Sequence, residues 1–457
     1  GTTNGTITDI DGKYSLQVGS NGTITISYIG FKTQNISVNN RSTIDVVLEE
    51  NALLLNEVVA VGYRTERKAD LTGAVSVVDV KDMMSASENN PMKALQGRIP
   101  GMQVTADGNP SGSATIKIRG VGTWNNTDPL YIIDGVASTS GMHELNSNDI
   151  ESIQVLRDAS SASIYGSRAA NGVIIVTTKK GKKGSLIVNF DAYVTASMYN
   201  NKIDVLSSKE YAQVLGQAYI NSGENPNSNN LGIVYDLGTA SDGRSTIKNV
   251  YFPEYLDKAK TMKPANTDWF DEITRTGVMQ SYNLSISNGN EKGSSYFSLG
   301  YLDNNGLVKY TDFSRISARM NTDYKLLDGL ITIGENFTLN RTTEVTQPYQ
   351  IVEAALIAVP FIPVKTDDGS NWGGPITGLP DRQNPARLVY DNRDNSYRYW
   401  RALGNAYINV NPLKGLNVRS SFGLDYGNYY KRTLTYSYQD GYVTNTTNKS
   451  TMEQAHC

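Results

Sequence analysis

Leu186-Ile187-Val188-Asn189-Phe190-Asp191-Ala192-Tyr193-Val194-Thr195-Ala196-Ser197-Met198 puts an apolar residue at every even position. Every odd position is polar, Ile187 apart. A period of two is the mark of a strand with one apolar and one polar face. The split recurs downstream. Ile316, Ala318 and Met320 oppose Arg315, Ser317, Arg319 and Asn321; Trp400, Ala402, Ala406 and Ile408 oppose Arg401, Asn405 and Asn409. Leu416, Val418, Phe422 and Leu424 likewise oppose Asn417, Arg419, Ser421 and Asp425. Glu335 alone interrupts an apolar row, Ile331, Ile333, Phe337 and Leu339, for no reason visible in the sequence.

Alternation fits a soluble sandwich as well as a membrane barrel. Connection lengths separate the two. The pattern places strands at 185–199, 277–288, 294–304, 313–325, 330–342, 397–411, 416–428 and 430–440. Of the connections, the second, fourth and sixth are tight (Asn288–Gly293, Leu326–Gly329, Asn411–Gly415), and the first and fifth are long. Long links on odd connections alone are what an up-and-down membrane barrel requires, with short turns at one rim and loops at the other. A sandwich has no reason to keep that parity, so the pattern favours the barrel.

Composition agrees. The 457 residues carry 42 Lys+Arg and 45 Asp+Glu, and charged residues make up 19%, below the roughly 25% of soluble domains. Mean hydropathy is still −0.38, so the polarity comes from Asn, Ser, Thr, Gly and Tyr. Tyr outnumbers Phe 28 to 9, which suits strands between apolar and wet surroundings. No run of about 18 apolar residues exists, which excludes a membrane-spanning helix and leaves the barrel route open. Near-neutral charge argues against nucleic acid as a partner. The one cysteine, Cys457, excludes a disulfide framework, and with only His143 and His456 most histidine chemistry is excluded as well.

Ahead of the alternating tail, residues 185–457, lie three other regions. Residues 1–50 read as a small β domain: Thr6–Thr8 and Tyr14–Val18 flank an Asp9–Gly12 turn, and Thr23–Ile29 and Ser42–Leu48 continue as strands. Residues 51–72 hold the apolar strip Ala52–Val61, followed by the charged tract Arg64–Lys68. No turn signal commits that strip to a neighbour, so it reads as an interdomain strand or as a peptide offered to a partner's sheet edge. Residues 73–183 read as a mixed α/β domain. Asn90-Pro91 opens a short helix, and strands follow at Thr115–Arg119, Leu130–Ile133, Ser152–Leu156 and Val173–Thr177. Gly120-Val121-Gly122 lacks the third glycine and the helix of a dinucleotide fingerprint.

Within 73–183 the segments Thr115–Gly120, Pro129–Val136, Asn148–Ala159 and Ile164–Gly181 together resemble the plug domain of TonB-dependent outer-membrane transporters. Ile164–Gly181 (IYGSRAANGVIIVTTKKG) resembles the SusC/RagA branch in particular. Arg119, Gly120, Asp134, Gly135, Arg157, Asp158, Arg168, Asn171 and Gly172 are the plug-motif positions. Residues 1–50 are similar to the carboxypeptidase-regulatory-like extension of that branch, here without its first strand. Glu57, Val58, Val59, Ala60, Val61 and Gly62 lie where the family keeps its TonB box. Asn266–Ile273 and Asn288–Lys292 resemble its first barrel segments.

The resemblance implies a mainly β fold: a small β-sandwich extension, an α/β plug, and the first strands of an incomplete antiparallel transmembrane β-barrel, 22-stranded (about 22 strands) when whole. The tail holds about eight of them, so the chain alone is not expected to close or to transport. The implied activity is import of an oligomeric nutrient, glycan or peptide, across the bacterial outer membrane. TonB and its inner-membrane motor would energise it, and a SusD-type surface lipoprotein would accompany it. No cofactor is implied, and no catalytic pattern is present.

The long connections, about 200–276 and 343–396, would face outward. There Trp372 and Tyr390 either stack on substrate or anchor their loops. Asp367, Asp368, Asp391 and Asp394 read as solvated acids before calcium ligands, and no metal site is expected. A soluble β-rich binding or adhesion module, and less so a secreted hydrolase, remain the alternatives to transport.

Overall fold

The computed structural model describes residues 4–457 except 10–11, 29–30, 32, 49–57, 62–63, 68–74, 79–87, 89, 122–126, 139–140, 159–161, 201–202, 380–382 and 414. In the first region Thr23–Ile26 (β1) pairs antiparallel with Gln34–Ser37 (β2), and the Thr25 hydroxyl donates to Asn35 Oδ1 across the ladder at 2.7 Å. The turn after Thr8 forms, with Lys13 N donating to Asp9 Oδ1 at 2.8 Å. Thr6–Thr8 and Tyr14–Val18 carry no ladder, and the partner of β1 is Gln34–Ser37 rather than 42–48. Val58–Val61 (β3) pairs back on Arg64–Arg67 (β4), so the end of the apolar strip is committed to a hairpin, while 52–57 lie outside the described residues. Two residues, Gly62 and Tyr63, separate the strands in the sequence, and a two-residue spacing that opens on glycine is itself a hairpin signal.

The next unit is a five-stranded sheet. Val75–Val78 (β5) precedes the helical turn Pro91–Ala94 (α1), which Asn90 caps by accepting from Met92 N while Pro91 needs no donor. Met102–Ala106 (β6) and Ala114–Ile118 (β7) form a hairpin beside it. The sheet proper runs β5–β10–β11–β8–β9, from Leu130–Ile133 (β8), Val136–Ser138 (β9), Ile150–Leu156 (β10) and Val173–Thr178 (β11). β8 and β11 are parallel, which requires cover on both faces. Their near-continuous apolar runs, Leu130–Ile133 and Val173–Val176, are buried accordingly. Asp134 and Gly135 join β8 to β9 with φ of 49° and 89°, the two-residue turn with positive φ that a twisted hairpin prefers.

The alternating tail forms one eight-stranded antiparallel meander. Its strands are Gly184–Ser197 (β12), Gly277–Gly289 (β15), Gly293–Asn305 (β16), Asp312–Leu326 (β17), Ile331–Val345 (β18), Ser396–Leu413 (β19), Leu416–Thr435 (β20) and Lys449–His456 (β23), each paired with the next. The eighth strand is therefore not at 430–440. β20 runs on to Thr435, a short hairpin of Tyr438–Asp440 (β21) and Val443–Asn445 (β22) follows, and the chain returns at Lys449. The sheet wraps one side of the five-stranded unit, with its polar rows turned inward. Plug-side contact is close where the linking segment passes: a Cβ at Gly181 would lie 2.4 Å from Ser295 N, so only glycine fits there.

The two long connections do not hang loose. Helix Ser208–Asn221 (α2), the hairpin Val234–Thr239 (β13) with Ser245–Tyr251 (β14), and the short helices Trp269–Ile273 (α3), Ile351–Ile357 (α4) and Pro385–Asn392 (α5) share one core. Ala212, Tyr235, Trp269, Phe361, Ile376 and Val389 meet there. Asp440 from the β21–β22 hairpin is fully buried against Arg387 Nε at 2.7 Å, pinning a third connection onto this cap.

Candidate functional site at the interface of plug and wall

Apolar and polar residues have exchanged their usual places across the eight-stranded wall. Phe297, Leu299, Ile316, Met320, Phe337, Leu339, Trp400, Phe422 and Leu424 are exposed on its outer face. Ser298, Arg315, Ser317, Arg319, Asn321, Thr338, Asn340 and Arg401 are buried on its inner face. A polar row can be buried only if its groups are bonded, and here the five-stranded unit supplies the partners.

Asp134, at the β8–β9 turn, is one anchor. Its carboxylate accepts from Thr178 N at 2.9 Å and from the Thr178 hydroxyl at 2.8 Å, and Arg319 Nη2 completes an ion pair with it. Asn321 Nδ2 donates to the same hydroxyl at 3.0 Å and to Lys179 O at 2.6 Å; Asn405 donates to Asp134 O. A second anchor is Asp149, whose Oδ1 accepts from Ser298 at 2.6 Å and Tyr296 at 3.0 Å. Arg315 Nη1 donates to Leu145 O at 2.9 Å.

The third anchor is the most heavily charged. Arg401, 1% exposed, holds Asp425 of its own wall through Nε and Nη2, both at 2.9 Å. It reaches across to Glu144 Oε2 at 2.6 Å and to Gly141 O at 3.2 Å, and Ser138 accepts from Nη2. His143 Nε2 lies 2.8 Å from the other Glu144 oxygen. Burial works to raise the Glu144 carboxyl, but His143 and Arg401 outweigh it and hold it below the usual carboxylate range. Burial works to lower His143, and the charge and hydrogen bond of Glu144 raise it above its usual value.

The nine plug-motif residues divide between two ends of the sheet. Asp134 and Gly135 are at the wall. Arg119, Gly120, Arg157, Asp158, Asn171 and Gly172 gather at the opposite strand ends, where Arg119 pairs with Asp158 at 2.6 Å and Arg157 Nη1 donates to Pro100 O at 2.6 Å. Arg168 is exposed nearby. Of the strip Glu57–Gly62, Val58–Val61 form β3, while Glu57 and Gly62 lie outside the described residues. Of the partners, Arg319, Asn321 and Arg401 stand in the polar rows read from the sequence without being assigned a partner, and Glu144 and Asp149 were not singled out. The available signal was the arginines on a polar wall row, which call for anions inside.

In the cap, Trp372 and Tyr390 come together at 5.5 Å between ring centroids. Lys365 Nζ sits 3.3 Å over the Trp372 ring and the Arg393 guanidinium 3.8 Å over Tyr390. Burial lowers the Lys365 ammonium. The four loop acids do not converge: Asp367 pairs with Lys263, Asp391 with Arg387, and Asp394 with Arg393. Asp368, held by Thr366 and Ser370, is pushed down to about 2. Among the described residues no three His, Cys, Asp or Glu side chains form a metal-sized group.

A plug sheet bonded inside an antiparallel wall whose outer face is apolar defines the class of outer-membrane barrel receptors. Two family models match: the TonB-dependent Receptor Plug Domain over residues 67–173 and the CarboxypepD_reg-like domain over residues 1–60. TonB-dependent receptor SusC of Bacteroides thetaiotaomicron is 37% identical over 432 residues, covering 92% of this chain and 39% of its own. TonB-dependent receptor P39 of Formosa agariphila is 32% identical over 451 residues, covering 94% and 38%. A structure of the RagAB peptide importer in its "open-open" state superposes with a TM-score of 0.67 at 25% identity, covering 85% of this chain and 44% of the other. The chain belongs to the SusC/RagA-type TonB-dependent receptors. It spans about two fifths of the length of the curated relatives it matches.

Proposed function

We propose that the full-length receptor carrying this chain imports an oligomeric nutrient, glycan or peptide, through the bacterial outer membrane, energised by TonB and its inner-membrane motor. The observation that carries this reading is the polar interface just described. A plug held mainly by hydrogen bonds and ion pairs, with Leu403 the one wall residue in its buried apolar cluster among the described residues, can exchange those bonds for water when it is pulled. The SusC and RagAB relatives favour a SusD-type surface lipoprotein as companion and an oligosaccharide or peptide as cargo, with Trp372 and Tyr390 as candidate contacts in the cap.

The strip Glu57–Gly62 is the proposed TonB box. Its β3 segment is one strand of a hairpin, and its other edge takes no partner among the described strands; a strand added there would continue the ladder. Deleting Glu57–Gly62 from the full-length receptor should abolish uptake and leave surface binding of cargo intact. Undiminished uptake would remove the TonB coupling from this reading.

A further inference from the structure

The outer rows of the wall change character at one height. Up β18 from the short-turn rim they read Ile331, Ile333, Glu335, Phe337, Leu339, then Arg341; down β19 from its start comes Arg398, then Trp400. Arg341 lies opposite Trp400, and Trp400 opposite Asn428; Arg398 lies opposite Tyr430. These five residues line an open groove of about 440 Å³ on the outer face. The Arg341 guanidinium is 5.3 Å from the centre of the Trp400 ring.

Two arginines thus sit on diagonal positions of one face, about 7–8 Å apart in backbone terms, where like charges repel. Among the described residues neither has a carboxylate partner, unlike Arg319 and Arg401 on the inner face. Such a pair is stable where an anion lies between its members. Height identifies the anion. The ten-residue climb from Ile331 to Arg341, at roughly 3.4 Å per residue and about 45° of tilt, rises about 24 Å. That matches the apolar band of about 25 Å of an outer-membrane barrel, so Arg341 stands at its upper edge, where lipid phosphates lie.

We infer that Arg341 and Arg398, flanked by Trp400, Asn428 and Tyr430, form a binding site for the phosphate-bearing headgroup of an outer-leaflet lipid. The guanidinium forks take the phosphate oxygens, and Trp400 lies against the apolar part below. The inference rests on the membrane orientation of the proposed function.

The test uses the full-length receptor in nanodiscs of a phosphate-free glycolipid, with lipid retention as the readout. The probes are phosphorylated lipid A, the same lipid A stripped of its phosphates, and inorganic phosphate. Expected are binding of phosphorylated lipid A, a loss of about fivefold for Arg341→Gln or Arg398→Gln alone, and about thirtyfold for both. Arg341→Lys with Arg398→Lys should fall between, because charge persists and the fork does not. Heat-modifiable gel mobility checks that every variant is folded. Equal retention of phosphorylated lipid A by wild type and a folded double Gln variant would overturn the site, as would equal affinity for the stripped lipid. Binding of inorganic phosphate as tight as that of the lipid would make it a free-anion site instead. A receptor that fails to float with membranes would overturn the orientation itself, a result distinct from loss of lipid selectivity.

Discussion

Arg401 satisfies four acceptor residues on two units at once, so its removal leaves Asp425 without its cation and Glu144 with His143 alone. Arg401 and Glu144 are each 1% exposed, and breaking a buried ion pair by removing one partner costs about 3–5 kcal/mol. Arg401→Ala in the full-length receptor should therefore loosen the plug, seen as new proteolytic cuts within 138–147 and as steady conductance in planar bilayers. The neighbouring His143 gives the docking a pH dependence. Its folded value is raised, so its contribution is complete below the ordinary value of 6.5 and is lost as pH rises through the raised one. Glu144 is lowered, so its contribution holds above the ordinary 4.5 and is lost as pH falls through the depressed value. Protease protection of the plug should peak between those limits and decline on the alkaline side, and His143→Gln should flatten that decline. Glu335, unexplained from sequence, faces outward where Thr322 lies opposite and donates to it, so the break in the apolar row is a cross-strand bond rather than a change of face.

Elements of different kinds differ in how far they announce themselves. Six wall strands stand within a few residues of where alternation puts them, and the seventh starts there but runs on to Thr435, because 13 to 20 residues of period two leave no other register that keeps the apolar row outside. The eighth, Lys449–His456, has Met452 as its one large apolar residue and is defined by the β20 backbone it pairs with, a tertiary cause with no local trace. The cap is invisible for another reason. Its core draws on Ala212, Trp269, Phe361 and Val389, which no periodicity connects. That dispersal predicts that the two long connections unfold together. Arg387→Ala leaves Asp440, fully buried and with its carboxyl raised by that burial, without its ion pair. The cost should be about 3 kcal/mol or more, and trypsin should open 198–276 and 346–395 at the same rate instead of one after the other.

At the scale of the whole molecule, the reversed polarity of the wall separates the membrane reading from the soluble one by the sign of a single effect. Phe337 is exposed on the outer face and lies near the middle of the climb from Ile331 to Arg341. Facing lipid, Phe337→Arg places a charge near the bilayer midplane and should cost about 2–4 kcal/mol. Facing water, the same change would be neutral and would improve solubility, since an exposed apolar belt of this extent is a liability in a soluble protein. Leu326, opposite Ile331 at the short-turn rim, supplies the depth control: Leu326→Arg should cost about 0–1 kcal/mol in lipid. The measurement is the unfolding midpoint in urea of the full-length receptor in liposomes, variant against wild type. A large loss at 337 with little at 326 locates the belt in hydrocarbon, because no property of the isolated sheet distinguishes two exposed apolar positions on the same face. Equal, small effects at both would return the wall to water and take the importer reading with it.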